Sequence, residues 1–198
     1  MQDAGEQGMF FLTPGGEILL FDRDKLEMTR INQMKPFSED LPNQLFFHLL
    51  LDKDGILWLA STGSGVYRVN FPKKQFQLLT DISPVPVSTE KQTSWNQGIR
   101  ALYQAQNGDI WVGTHGNGLF LLDKSDGLFH LHTPENVLSG ENIRVLGETP
   151  SGNLLIGTGH GLSMLDKKNG KIINFNSNTG FPLTLVTVSY THLTLPTT

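Results

Sequence analysis

Two arginines hold the same place in two similar segments of the sequence. Arg100 lies in the run Ile-Arg-Ala-Leu at 99–102, and Arg144 lies in the run Ile-Arg-Val-Leu at 143–146. A guanidinium keeps its charge and presents a planar fork of N–H donors, so a repeated arginine could face an anionic or polyhydroxy ligand. The alternative is that each arginine ties neighbouring elements together through backbone carbonyls or an aspartate. We predict Arg100 and Arg144 as ligand-binding residues.

Two histidines, His115 and His160, also hold equivalent places, each in a turn shortly after an apolar run. Polar side chains in such turns are either solvated or available to a ligand, and we predict both as further ligand-binding residues. His130 and His132 are two residues apart, so on a strand they would share a face, which can be metal-ligand geometry. The spacing implies no third ligand, and we therefore predict no metal site.

No catalytic motif can be found in the sequence. There is no cysteine, which excludes disulfides, thiolate metal sites and cysteine nucleophiles. No Ser-His-Asp arrangement, phosphate loop or dinucleotide-binding fingerprint is present. Asp109, Glu141 and Glu148 show no recurring arrangement of the paired kind that glycoside hydrolysis requires. We predict no catalytic residue and no cofactor, and no enzymatic activity for this chain.

The composition indicates a turn-rich protein. The 198 residues include 21 glycines and 10 prolines, which divide the chain into the short pieces typical of an all-β fold. The formal net charge of −4 argues against nucleic acid as a partner, because such binding usually requires a basic stripe. No stretch approaches the roughly 18 uncharged apolar residues of a membrane span. The first eight residues lack the basic and apolar regions of a signal peptide.

Four segments of the chain are similar to one another. They occupy residues 13–22, 54–70, 107–123 and 151–166. Their equivalent hydroxyl residues are spaced by 48, 53 and 44 positions: Thr13, Ser61, Thr114 and Thr158. Propeller blades repeat about every 40–50 residues. The longest interval contains a polar stretch at 81–96, which is predicted to be a loop insert.

Each repeat is predicted to contain four short strands, as the apolar runs and Gly-rich or Asp-rich turns of the unit 97–133 show most clearly. Four-stranded antiparallel sheets at this period are blades of a β-propeller. Trp58 and Trp111 hold the same place in the second strand, where a large ring would fill the wedge between blades. The pair Gly113-Thr114 allows close backbone approach and offers a hydroxyl to the following turn.

We therefore predict an all-β fold, a partial β-propeller with about three full blades and a partial blade at each end. The predicted order is a leader at 1–8, a partial blade at 9–36, blades at 43–80, 97–133 and 141–176, the start of a further blade at 181–187, and a non-native tail at 188–198. The tail resembles a translated sequencing adapter. Such an open arc exposes strand edges and apolar faces that closure would cover.

One pattern joins the first strand of each repeat to the second. Gly98-Ile-Arg-Ala-Leu102 precedes Gly108-Asp-Ile-Trp-Val-Gly-Thr114, and residues 142–146 precede 152–158 in the same manner. This pattern resembles the two-component regulator propeller repeat across nearly all of residues 9–187. The segment 65–79 is similar to the hybrid sensor kinases of gut bacteria. The departures are Phe47 in place of Arg, Ala60-Ser61 in place of Gly-Thr, and Leu155 in place of Trp.

The resemblance implies the periplasmic sensor region of a hybrid two-component histidine kinase that responds to glycan breakdown products and regulates glycan-utilisation genes. It implies an oligosaccharide or other small ligand, further blades and kinase domains in the same chain as partners, and leaves a homodimer open. Neither nucleic acid nor a membrane segment is expected in this region. The alternatives are the same sensor coupled to a diguanylate cyclase, or a propeller enzyme or scaffold that acts on polysaccharide.

Overall fold

The computed structural model describes residues 2–3, 8–31, 45–61, 63–70, 75–79, 98–133, 137–175 and 177–180. Within these residues the chain forms sixteen β-strands and a short 3-10 helix at Ser177–Thr179. The strands form four antiparallel sheets of four strands each, and in every sheet the spatial order follows the chain order. Short hairpin turns permit this arrangement, because antiparallel neighbours need no crossover connection.

The strands have the following bounds. The first sheet contains β1 (Gln2–Asp3), β2 (Met9–Leu12), β3 (Ile18–Asp22) and β4 (Glu27–Arg30). The second sheet contains β5 (Phe46–Leu51), β6 (Ile56–Ser61), β7 (Val66–Asn70) and β8 (Gln75–Leu79). The third sheet contains β9 (Ile99–Gln104), β10 (Ile110–Thr114), β11 (Leu119–Leu122) and β12 (Phe129–Thr133). The fourth sheet contains β13 (Ile143–Glu148), β14 (Leu154–Thr158), β15 (Gly161–Leu165) and β16 (Ile172–Phe175).

This architecture confirms the predicted all-β fold of four-stranded antiparallel blades in an open arrangement. The first sheet differs in one detail, because β1 lies within the predicted leader 1–8 and pairs with β2. The N-terminal unit therefore has a short first strand where the sequence predicted only the later strands of a blade. Two residues are too few to show the alternation by which a strand is recognised. The loop insert 81–96, the further blade 181–187 and the tail 188–198 lie outside the described residues.

Apolar clusters fill the spaces between successive sheets. The cluster between the first and second sheets includes Phe10, Ile18, Leu57 and Leu59. Trp58 packs in a cluster with Ile99 and Leu102 of the next sheet, and Trp111 packs in one with Ile143 and Leu146. The two indoles are 4% and 2% exposed, which confirms that the rings fill the wedge between blades. Full burial of a large apolar side chain contributes about 1.5–3 kcal/mol.

The first strands of the sheets lie next to one another. The strand β9 is an edge strand of the third sheet, and it contacts both β5 and β13. Residues near the start of these strands are therefore brought together from successive blades. In the part of the chain that the structure describes, no helix is long and apolar enough to cross a membrane.

Candidate functional site

A β-bulge occurs at the same place in the first strand of three sheets. The pairing register passes over Phe47 on β5, over Arg100 on β9 and over Arg144 on β13. A bulge leaves one residue unpaired and re-aims its side chain. These three residues therefore form one structurally equivalent set. They lie where the first strand begins and the second strand ends, and we call this the arginine end of the blades.

Arg100 contacts the neighbouring blade through an aromatic ring. Its guanidinium carbon lies 4.2 Å from the ring centroid of Phe47, which is within the range of a cation–π interaction. The side chain is partly buried, and its Nε is shielded from solvent without a hydrogen-bond partner. Among the described residues no carboxylate or carbonyl pairs with this guanidinium. The contact orients the charge without neutralising it.

Arg144 is exposed, and within the described ranges it forms no ion pair or hydrogen bond. The alternative of a structural tie requires a carbonyl or carboxylate partner, and neither arginine has one in the residues that the structure describes. This observation supports the interpretation of Arg100 and Arg144 as ligand-binding residues, which stays a prediction.

His115 lies in the β10–β11 turn of the third blade, where it contacts the segment before the first strand of the fourth blade. Its backbone N–H donates to the carbonyl of Gly98 over 2.9 Å, and its backbone forms a bridge with Asn142. The following residue, Gly116, donates to the carbonyl of Glu141 over 2.8 Å. Gly98 and Asn142 each precede an arginine by two residues. The exposed His115 turn therefore lies between the starts of the two strands that carry Arg100 and Arg144.

His160 occupies the equivalent turn of the fourth blade. Its ring lies beside Gly140, where an added Cβ would be 2.9 Å from the His160 Nδ1. The neighbouring Gly159 donates to the carbonyl of Asn142 over 3.0 Å. His160 is exposed. The turn and strand positions bring Arg100, Arg144, His115 and His160 to the same end of the blades.

Buried hydroxyls hold the shape of these turns. The side chains of Thr114 and Thr158 donate to the carbonyls of Gly118 and Gly161 over 2.7 and 3.0 Å. Ser61 makes the same bond to Gly65 over 2.9 Å. Since these hydroxyls are inaccessible to solvent, they are structural. The sequence analysis predicted that the hydroxyl of the Gly113-Thr114 pair contacts the following turn, and this contact is confirmed.

His48 is a buried histidine that the sequence analysis did not single out. Its Nδ1 accepts a hydrogen bond of 3.0 Å from the backbone N–H of Leu102 in the next blade. Burial lowers the pKa of His48 to about 4, because desolvation disfavours the imidazolium. The ring is therefore neutral at pH 7 and links two blades beside Phe47.

A cleft of about 410 Å³ lies between the second and third blades, at the end opposite to the arginine end. Its wall includes Asp52 and Trp58, where the indole Nε1 donates to Asp52 Oδ2 over 2.7 Å. Asp52 Oδ1 also accepts the backbone N–H groups of Asp54 and Ile56, both over 2.9 Å. The Asp52 carboxylate is thus committed to the hairpin turn and the indole.

His130 and His132, the pair considered as metal ligands, have different contacts in the structure. His130 Nε2 lies 2.8 Å from Asp126 Oδ2, whereas the ring of His132 packs edge-on against Trp111 with centroids 4.9 Å apart. Asp123, Asp126 and His130 have potential ligand atoms within 4.8 Å of one another. Asp123 and Asp126 lie in the β11–β12 turn at the opposite end and are exposed, and His130 lies at the start of β12. Nothing beyond this acidic cluster indicates a bound ion.

The bulged first strand and the tryptophan-bearing second strand coincide with a known repeat. A family model described as "Two component regulator propeller" matches residues 40–63 and 94–116. These two segments match the two-component regulator propeller repeat. The two matches cover the β5–β6 and β9–β10 hairpins, so the predicted resemblance is confirmed where Phe47, Arg100 and His115 lie.

Solved structures share the fold of these repeats at low sequence identity. The extracellular domain of the hybrid two component system BT4673 from B. thetaiotaomicron is 18% identical, with a TM-score of 0.62, and the match covers 88% of this chain and 23% of that one. The corresponding domain of BT3049 from the same organism is 18% identical, with a TM-score of 0.59 and coverage of 86% and 25%. The repeats of this chain thus span about a quarter of those extracellular domains.

A third similar structure is of a different class of protein. It is a gluconolactonase-family protein, 15% identical with a TM-score of 0.64, and the match covers 89% of this chain and 61% of that one. At such identities the likeness shows the propeller fold alone, since one fold hosts many functions. No curated protein sequence matches the chain.

Proposed function

We propose that these blades are the ligand-binding part of the periplasmic sensor region of a hybrid two-component histidine kinase. The ligand is a glycan breakdown product, and the response regulates glycan-utilisation genes. The repeats and their likeness to extracellular domains of hybrid two-component systems support the class of protein. The single structural observation that carries the binding role is the pair of bulged arginines, Arg100 and Arg144, without partners among the described residues.

The position of this pair suggests how binding could become a signal. Arg100 on β9 contacts Phe47 on β5, and the His115 turn contacts the segment before β13. A ligand held at the arginine end therefore touches three successive blades at once. Because a ligand shifts an equilibrium only by its differential affinity for two states, contacts across blade boundaries allow it to favour one relative arrangement of the blades.

Titration calorimetry with a panel of neutral and acidic oligosaccharides tests this proposal. We expect one class to bind, and we expect Arg100→Ala and Arg144→Ala to weaken its affinity by at least about tenfold while the melting temperature changes by only a few degrees. A loss of stability with unchanged affinity per folded molecule would mean that the arginines are structural ties. Sequencing of the reading frame beyond residue 187 tests the kinase assignment, because a diguanylate cyclase domain would support the alternative output.

An enzymatic or scaffold role for a polysaccharide-acting propeller is the second candidate. The observation in its favour is the fold shared with the gluconolactonase-family protein. In the described residues the three-membered cluster of histidine and acidic side chains is Asp123, Asp126 and His130, which lies at the opposite end from the arginines. Incubation of the chain with gluconolactone and with the oligosaccharide panel, followed by product analysis, distinguishes turnover from binding.

A further inference from the structure

We infer that the ligand of the arginine end carries an anionic group, and that Phe47 is the residue that positions Arg100 to receive it. This inference rests on the proposed function, since it names the chemical class of ligand for the same site. It depends on three observations about Phe47, Arg100, Arg144 and Asn142, all of which lie at or just before the bulge of the first strand.

The first observation is an incompletely compensated cation. Arg100 is partly buried, and its Nε has no hydrogen-bond partner within the described ranges. Removing a guanidinium from water is unfavourable unless an anion or several acceptors replace the lost solvation. Here the described residues provide an aromatic face and no acceptor. An anionic ligand supplies the missing negative charge.

The second observation is that the partner of Arg100 is the aromatic ring of Phe47 and not a carboxylate. A carboxylate at that place would orient Arg100 but would also neutralise it, and the site would lose its attraction for an anion. The ring holds the guanidinium at 4.2 Å from its centroid and leaves the charge available. The ring is itself 41% exposed, so it also offers an apolar surface beside the charge. The substitution of Phe for Arg at this repeat position therefore has a positioning role.

The third observation is a polar acceptor without a donor. Asn142 Oδ1 is shielded from solvent and has no hydrogen-bond partner in the residues that the structure describes. Asn142 precedes Arg144 by two residues and bridges to His115. An unsatisfied buried acceptor is unfavourable, and a ligand hydroxyl satisfies it once a local side-chain rearrangement exposes the oxygen.

These requirements together describe a hydroxy acid with an apolar face. The carboxylate fits the guanidinium of Arg100 or Arg144 in bidentate geometry. The C–H face of a pyranose ring packs on Phe47, and the hydroxyls of the ring donate to Asn142 Oδ1. Among oligosaccharides, one that contains a uronic acid meets all three. A neutral sugar leaves the guanidinium charge uncompensated.

The experiment compares digalacturonate with its dimethyl ester, which lacks the two negative charges and carries two additional methyl groups, by titration calorimetry on the intact chain. We expect the acid to bind at least about tenfold more tightly than the ester, and the difference to shrink as salt is raised. Arg100→Gln and Arg144→Gln should abolish the preference for the acid. Phe47→Leu should weaken binding of the acid severalfold, and Phe47→Trp should restore it, because a planar ring face again supports Arg100.

Arg68→Ala is the matched control. Arg68 also lies over an indole, with its guanidinium carbon 5.9 Å from the centroid of the Trp58 ring, but it faces the cleft at the opposite end, and its removal should leave binding unchanged. Tighter binding of the ester, or an acid affinity that neither Arg100→Gln nor Arg144→Gln changes, overturns the inference and leaves the sensor proposal intact. No binding by either probe or by the neutral oligosaccharides of the panel contradicts both.

Discussion

Gln104 and Glu148 hold the same place at the end of their first strands, and each accepts a backbone hydrogen bond from the preceding blade. Gln104 Oε1 accepts the N–H of Lys53, and Glu148 Oε2 accepts the N–H of Gln106, both over 2.8 Å. Lys53 and Gln106 are equivalent turn residues. The propeller thus repeats a polar tie between blades in addition to its apolar clusters.

The first prediction concerns this tie. Glu148 also pairs with Lys167, and the Glu148 side chain is only 1% exposed. Glu148→Ala leaves both the Gln106 N–H and the Lys167 ammonium without their partner, and it should lower the free energy of unfolding by about 1–3 kcal/mol. Glu148→Gln should lose less, because Gln104 shows that an amide oxygen can serve the turn. Urea denaturation measures both values, and an equal loss in the two variants would mean that only the ion pair stabilises this boundary.

The second prediction arises from a missing partner in the third blade. Trp58 Nε1 donates to Asp52, but the equivalent Trp111 Nε1 is buried with no hydrogen-bond partner among the described residues. Ala105 holds the place of Asp52 there, in a turn with the same backbone hydrogen bonds. Ala105→Asp should provide the acceptor and raise the free energy of unfolding by about 0.5–1.5 kcal/mol.

Two variants control this prediction. Asp52→Ala creates the same orphaned indole in the second blade and should be destabilising. Ala105→Val has nearly the size of aspartate without its acceptor, so it should not stabilise the chain. A loss of stability in Ala105→Asp would show that the cost of burying the carboxylate outweighs the new hydrogen bond.

Much of the fold could be predicted from the sequence because its determinants are local. The turn hydroxyls Thr114 and Thr158 and the wedge indoles Trp58 and Trp111 recur at blade spacing, and each acts on its own blade or the adjacent one. Apolar runs and turn residues predicted four strands in the unit 97–133, and the third sheet has four strands within it. Repetition made these signals visible.

The remaining features depend on packing between blades, which cannot be deduced from the repeat pattern. Phe47 looked like a departure from the pattern, and its contact with the Arg100 guanidinium became visible only in the structure, where Phe47 occupies the bulge. Gln104 and Glu148 look like ordinary polar strand ends, since their partners are backbone groups about 42–51 residues away in sequence. His48 has no counterpart in the other repeats, where Ala101 and Val145 hold its place.

The third prediction concerns the close approach of Gly113 to the fourth blade. A Cβ added to Gly113 would overlap the Cγ2 of Ile143 and lie 3.0 Å from its Cβ. Gly113→Ala should therefore force the blades apart and lower the free energy of unfolding by about 1–3 kcal/mol. Gly147→Ala is the control, because that strand glycine has nothing within 4 Å of the added atom. Similar unfolding midpoints for the two variants would show that the boundary can adjust.

The fourth prediction is a pH dependence that arises from His48. The pKa of His48 is lowered by burial to about 4 in the folded chain, against about 6.5 in an unfolded chain. Between these two values the unfolded state binds more protons, so stability falls as the pH decreases from 6.5 towards 4 and is not affected by His48 above pH 7. The full effect approaches about 3 kcal/mol. Proton NMR of the imidazole and urea denaturation at each pH measure the two quantities.

The variant His48→Gln separates this contribution from that of the carboxylates. Glutamine offers an oxygen to the N–H of Leu102 and does not titrate, so the variant should remain stable at pH 7 and lose less stability on acidification than the wild type. His48→Ala removes the acceptor at every pH and should be less stable throughout, since the Leu102 N–H is left unpaired. If His48→Gln and the wild type show parallel stability curves from pH 7 to pH 4, protonation of His48 does not open the boundary between the second and third blades.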